Sequence, residues 1–233
     1  MGTLMGSGAL MLWLDVEPGL EREADGWYID EHMPERVDVG GYLRARRYAA
    51  IAGAPRYLTL FEAETPEALA SEGYLGLVGR ISEQSQRIRA GFSNVVRNTF
   101  AVRESRGRGI GAVVASLRLA PYDTESAEAA ATAVDRLVPQ WLKRHGIVGV
   151  HWLQAAPAVR ARMDAVRAVG QSDAGADWVL LIEATRLADI EAVRGDGLSR
   201  AVLERSGFRE EALAIYGLLY EVSAPETMPA GRS

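Results

Sequence analysis

The chain has 233 residues, 48% of them hydrophobic and 24% charged, with a formal net charge of −5. That length is enough to bury one large core or two small ones, and a mildly acidic chain lacks the basic surface that nonspecific nucleic-acid binding needs. There are no cysteines, which removes disulfides, thiolate metal sites and thiol nucleophiles and fits a cytoplasmic location.

In chain order, a Gly/Ser lead precedes the apolar run ALMLWLDV. This run reads as a buried first strand over 8–16, too short to span a membrane. A helix is predicted over 19–38, strands over 42–51 and 56–64, a helix over 66–89 and a strand over 95–104. After the polar linker ESRGRG (104–109) come a strand over 110–119, a helix over 124–145, strands over 147–155 and 177–185, a helix over 187–206 and a strand over 214–222. The strand assignments rest on short apolar or alternating runs bounded by Gly, Pro and Asp. The helix assignments rest on length and apolar spacing, with Gly146 placed as a C-cap.

The order β-α-β-β-α-β therefore occurs twice. Placing Gly41 on Gly146 brings Pro34 onto Pro139 without a gap. In the third strands, YLTLFEAETPEAL (57–69) falls on WVLLIEATRLADI (178–190), so Tyr57 meets Trp178 and Glu62 meets Glu183. The first repeat is assigned to 8–104 and the second to 109–223. The second carries an insertion near 156–176 expected as a hairpin with a helical turn, and 224–233 is expected to be a flexible tail. Each repeat has the ferredoxin-like order, a four-stranded sheet with helices on one face. The bare face must be covered, and two copies in one chain can cover each other. The fold class is thus α+β, two tandem ferredoxin-like repeats whose sheets pack into an intrachain pseudo-dimeric α/β barrel.

The segment WYIDEHMPERVDVGGYLRARRY (27–48) concentrates the chemistry. On a helix, Trp27 pairs with Glu31, Tyr28 pairs with His32, and Ile29, Met33 and Val37 form an apolar stripe. His32 then sits at the stripe's margin, where a side chain titrating near neutrality can serve as general acid or base. Pro34 disturbs the helix and frees a carbonyl one turn earlier, at Asp30. The plainer reading makes Glu31, His32 and Arg36 a solvated helix end. In the following strand, Arg46 and Tyr48 share a face. Either they line a cavity and hold an anionic or phenolic oxygen, or the arginines pair with Glu62 or Glu104. Trp13, Tyr57 and Phe61 serve equally as walls for an aromatic ligand or as core. Three scattered histidines give a transition metal little support, and no P-loop, G-x-G-x-x-G or G-x-S-x-G motif occurs.

Two ferredoxin-like units packed sheet to sheet resemble the dimeric α/β-barrel superfamily, in which two protomers usually form the barrel. The His32-Met33-Pro34 signature, followed by Gly41 and the strand YLRARRY, resembles its EthD-like branch. In the second repeat His32 falls on Leu137 and Glu31 on Arg136, so that copy lacks the polar motif. The resemblance implies a small-molecule enzyme that needs no metal or nucleotide cofactor. His32 would act as general acid/base and Glu31 would assist, on an aromatic or polyketide-like substrate bound by Tyr28, Trp13, Arg46, Tyr48, Tyr57 and Phe61. Isomerase, cyclase, dehydratase, decarboxylase and cofactor-free oxygenase activities all fit, and a haem held by one histidine occurs in the superfamily. The alternatives are a non-catalytic binding protein with His32 outside its cavity, or a self-association scaffold with a filled barrel. The expected partner is a small molecule, with neither nucleic acid nor membrane. The barrel allows a monomer with an internal pseudo-twofold axis or a homodimer through its outer surfaces.

Overall fold

Eight strands curl into one closed barrel in the computed structural model, which describes residues 4–166 and 173–224. β1 (Gly8–Val16) leads through α1 (Glu21–Trp27), a π-helical turn (Tyr28–His32) and α2 (Pro34–Val37) to β2 (Tyr42–Ala52) and β3 (Tyr57–Ala63). A 3₁₀ turn (Glu67–Ala70), α3 (Glu72–Val78) and α4 (Glu83–Ala90) precede β4 (Phe92–Gly107). The second repeat runs β5 (Val113–Pro121), α5 (Ala127–Asp135), α6 (Val138–Leu142), β6 (Ile147–Ala155), α7 (Pro157–Asp164), β7 (Trp178–Ala184), α8 (Leu187–Gly195), α9 (Arg200–Arg205) and β8 (Phe208–Ser223).

The sheet orders are β4-β1-β3-β2 and β8-β5-β7-β6, joined at two antiparallel seams, β2–β8 and β4–β6. The two repeats thus close one barrel, as their ferredoxin-like order implies. β4 and β8 extend beyond the expected 95–104 and 214–222 because each serves two partners. The first part of β4 pairs with β1 and its last part with β6; β8 passes in the same way from β5 to β2. Gly41 and Gly146 both open the second strand of their repeat with positive φ, +81° and +71°, a conformation that favours glycine.

The four long helices expected from apolar spacing are each broken. Pro34 and Pro139 sit in the first turns of α2 and α6, where a missing N–H costs nothing. Ser82 and Ser71 cap α4 and α3 through their side chains. Apolar periodicity continues across such breaks and does not report them. The expected hairpin insertion is α7 followed by an extended piece in which Ala174 bridges Val96. Its centre lies outside the described residues, as does the expected tail beyond Ala224. Among the described residues, no helix is long and apolar enough to cross a membrane.

Strand alternation divides the core into the barrel lumen and two helix–sheet layers. An eight-stranded barrel is just wide enough for side chains to fill. Here Trp13, Tyr48, Phe100 and Tyr216 fill much of it. One end of the lumen is polar. Arg44 and Arg46 both bond Glu62, at 2.8–3.0 Å, and Arg46 crosses to Glu183 at 2.8 Å. Backbone N–H groups of Met5 and Gly111 donate to Glu62 and Glu183. Arg46 therefore ties the two repeats together across the pseudo-twofold axis, using the two glutamates that the repeat register aligns.

Candidate functional site

The site is organised by the π-turn. Pro34 has no N–H to continue the α ladder, and Met33 N–H bonds Tyr28 O at 3.1 Å, one residue further back than an α-helix would. The Arg36 guanidinium then donates to the His32 carbonyl at 2.7 Å. Turns of this kind recur at functional sites. The wider turn also corrects the expected stripe: Tyr28, His32 and Met33 are buried, whereas Ile29 is 49% exposed.

His32 is 5% exposed. Its ring lies 4.1 Å from that of Trp27 and 4.8 Å from that of Tyr28, centroid to centroid. His32 Nδ1 and the Tyr28 hydroxyl are buried with no hydrogen-bond partner among the described residues. Burial, followed by the charges of Arg36, Arg89 and Arg47, holds the imidazole well below its usual pKa of 6.5. It is therefore neutral at physiological pH.

Beside it is a cavity of about 270 Å³ between the helices and the outer face of β1 and β4. Tyr28 and His32 form one wall, Leu12, Leu14 and Val95 the sheet wall, and Gln86, Arg89 and Ala90 of α4 another. Asp173, from the insertion of the second repeat, completes it and pairs with Arg97 at 3.3 Å. Sequence reasoning missed α4 and Asp173, because nothing in a linear sequence shows a second repeat reaching the first repeat's helix layer. The volume lies near the lower end of the range for ligand pockets, about 300–1,000 Å³.

Glu31 does not meet His32. Its carboxylate accepts from Ser82 Oγ and Ser85 Oγ, each at 2.7 Å. Ser85 also accepts from the indole of Trp27 at 2.9 Å. Burial opposes ionisation of Glu31, but the bonds from Ser85 and Ser82 hold its carboxyl below the usual range. Glu31 thus clamps the start of α4 to the π-turn and connects through Ser85 to the ring on which His32 rests.

The other expected binding residues separate by sheet face. Trp13, Arg46 and Tyr48 point into the filled lumen. Trp13 bonds Ser116 at 3.1 Å. Tyr57 and Phe61 lie in the same helix–sheet layer as His32, Phe61 with its ring 6.0 Å from the imidazole, yet neither lines the cavity. Arg47, not singled out from sequence, lies 3.5 Å from the centre of the Tyr28 ring and 4.5 Å from that of Tyr57, a cation–π sandwich.

The second repeat provides an internal comparison. At the shared register Arg47 is replaced by Trp152, Tyr57 by Trp178 and His32 by Leu137. Strand pairing likewise puts Leu213 where Arg97 stands and Phe208 where Phe92 stands. Trp152, Trp178 and Phe208 pack together at centroid distances of 5.0–5.4 Å. Apolar packing occupies this layer, while the first repeat keeps its polar groups beside a cavity.

No protein-family model matches the sequence, and no curated protein does. Solved structures do match in shape. An anthrone oxidase-like protein aligns over 99% of both chains with a TM-score of 0.64 and 14% identity. A candidate monooxygenase from Fusobacterium nucleatum aligns over 94% of this chain and 96% of its own, with a TM-score of 0.59 and 10% identity. A heme-binding protein from Thermus thermophilus aligns over 92% of both chains, with a TM-score of 0.56 and 9% identity. At such identities the likeness concerns the fold, and the EthD-like likeness remains one of motif. The protein has a ferredoxin-like α/β-barrel fold, with both halves of the barrel in one chain.

Proposed function

We propose that the protein is a small-molecule enzyme whose site is the cavity at the π-turn. Neutral His32 takes a proton from an acidic O–H or C–H of a hydroxylated, fused-ring aromatic or polyketide-like substrate. One observation carries this reading: a buried imidazole nitrogen without a protein partner among the described residues stands beside a cavity in the repeat that has the motif, while the other repeat packs tryptophan in the corresponding layer.

The electrostatics support it. The arginines around His32 disfavour the imidazolium, and for the same reason they favour a phenolate or enolate. Proton transfer from substrate to His32 leaves the anion among these cations. Returning the proton to a different carbon completes an isomerisation with no other reactant, and attack of the enolate on a carbonyl of the same molecule, with the proton on His32 passing to the alkoxide formed, completes a cyclisation. The deprotonated ring is also electron-rich, which agrees with neighbours named for anthrone oxidation and monooxygenation. Tyr28 borders the substrate, and Glu31 keeps the α4 wall in register.

The test is a screen of hydroxynaphthalenes, anthrones and related polyketide-like compounds, following quenching of tryptophan fluorescence and then turnover. A general base contributes about 10²–10⁴-fold, so His32→Ala should lose that much in kcat while retaining the native circular dichroism. A second reading, binding without chemistry, has its own support: among the described residues no carboxylate orients His32, since Glu31 is turned to Ser82 and Ser85. It is favoured if ligands bind tightly to the wild type and none turns over.

A further inference from the structure

The polar end of the lumen contains a hydrogen-bonded chain that the cavity does not use. His151, on β6, is fully buried. Its Nδ1 lies 2.9 Å from the hydroxyl of Ser105, its cross-strand partner on β4. Its Nε2 lies 3.1 Å from Glu183 Oε1. Glu183 is held in turn by Arg46 on the same oxygen and by the Gly111 N–H, 2.7 Å from the other. Burial would raise its pKa, but Arg46 and His151 outweigh burial and bring it down to about 2. An ionised carboxylate only accepts hydrogen bonds, so it selects the Nε2–H tautomer of His151. The lone pair of Nδ1 then faces Ser105, whose hydroxyl donates to it. Ser105 Oγ also accepts from the Leu4 N–H at 3.3 Å.

The geometry points to Ser105 as an activated nucleophile towards small carboxylic esters, with His151 as its general base and Glu183 holding that base. The arrangement has the logic of a serine–histidine–acid triad, although the imidazole is used in the opposite sense, with Nδ1 rather than Nε2 facing the serine. Ser105 is half-buried, whereas His151 and Glu183 are sealed beneath it. Of the three, Ser105 alone is partly exposed. Ser105 Oγ forms a bond to the ester carbonyl carbon as its proton passes to Nδ1. The alcohol departs with that proton and leaves an acyl-serine. Water, deprotonated by the same nitrogen, releases the carboxylic acid and restores the hydroxyl, so ester and water become acid and alcohol. A serine that only satisfied the buried imidazole would show none of this reactivity.

The experiment treats the wild-type protein with an alkyl fluorophosphonate and locates the adduct by peptide mass spectrometry. We expect one adduct, on Ser105, forming about a hundredfold faster than on any other serine, the scale of general-base assistance. Ser105→Ala should retain the native circular dichroism while melting somewhat lower, because the buried Nδ1 loses its donor, take up no label there, and lose hydrolysis of p-nitrophenyl acetate. An unlabelled Ser105, labelling at the rate of other serines, or ester hydrolysis that persists in Ser105→Ala would overturn the assignment.

Discussion

Replacing Arg46 with methionine leaves the lumen with two buried carboxylates and one fewer cation. Arg46 is fully buried and is the group shared by Glu62 and Glu183. After the change Glu62 keeps Arg44, while Glu183 keeps His151 and the Gly111 N–H. Glu183 is therefore the less compensated acid. Removing one partner of a buried ion pair costs about 3–5 kcal/mol. In a chain of this size each kcal/mol moves the melting temperature by about 2–4 °C, so Arg46→Met should melt about 6–20 °C below the wild type. Urea unfolding at neutral pH would measure the loss as a lower midpoint with an unchanged slope. Neutralising the acids as well, in Arg46→Met/Glu62→Gln/Glu183→Gln, should recover part of it. A loss below about 1 kcal/mol would refute the view that Arg46 holds the repeats together. Loss of ligand binding with stability intact would instead make Arg46 a ligand group.

Acid should destabilise the protein in two stages. The pKa of His32 is depressed by folding, so its share of stability is present above about pH 6.5, its unfolded value, and declines as the pH falls below it. His32→Phe should flatten that stage in pH-dependent melts. The pKa of Glu183 falls from 4.5 to about 2 on folding, so its contribution, on the order of 3 kcal/mol, is present above pH 4.5 and is lost as the pH falls towards 2. Val78→Phe, in the cavity wall, should abolish binding of fused-ring ligands in fluorescence titrations while leaving the melting temperature equal or higher. Glu31→Ala should cost about 1–3 kcal/mol through the lost bonds to Ser82 and Ser85 and weaken the same ligands.

Much of the architecture was legible because a strand buried on both faces leaves a distinct run of residues. β1 and β6 occupy the expected 8–16 and 147–155, and the register that aligned Glu62 with Glu183 also placed them in one cluster. The helices were less legible, since local backbone chemistry at Pro34, Ser82 and Pro139 breaks them without altering apolar spacing. At the site, the Tyr28–His32 pairing is visible in the motif. Which face of each strand borders the cavity is not. Alternation separates Trp13 from Leu12 and Leu14, but both faces are apolar, so the pattern has no mark for lumen against helix layer. The Arg46 alternatives divided in the same way: a strand arginine facing inward is equally compatible with a ligand and with a glutamate from across the barrel.

The seams between the repeats have a consequence for how the molecule responds to dilution and to change. Where two separate protomers make such a barrel, β2–β8 and β4–β6 contacts are bimolecular, and folding depends on protein concentration. Here both seams are intramolecular, so barrel closure draws on an effective concentration set by the connecting segment. A symmetric dimer also imposes every substitution twice, once in each half. In the joined chain a substitution falls in one half only, which leaves one helix layer free to pack itself solid while the other keeps an opening.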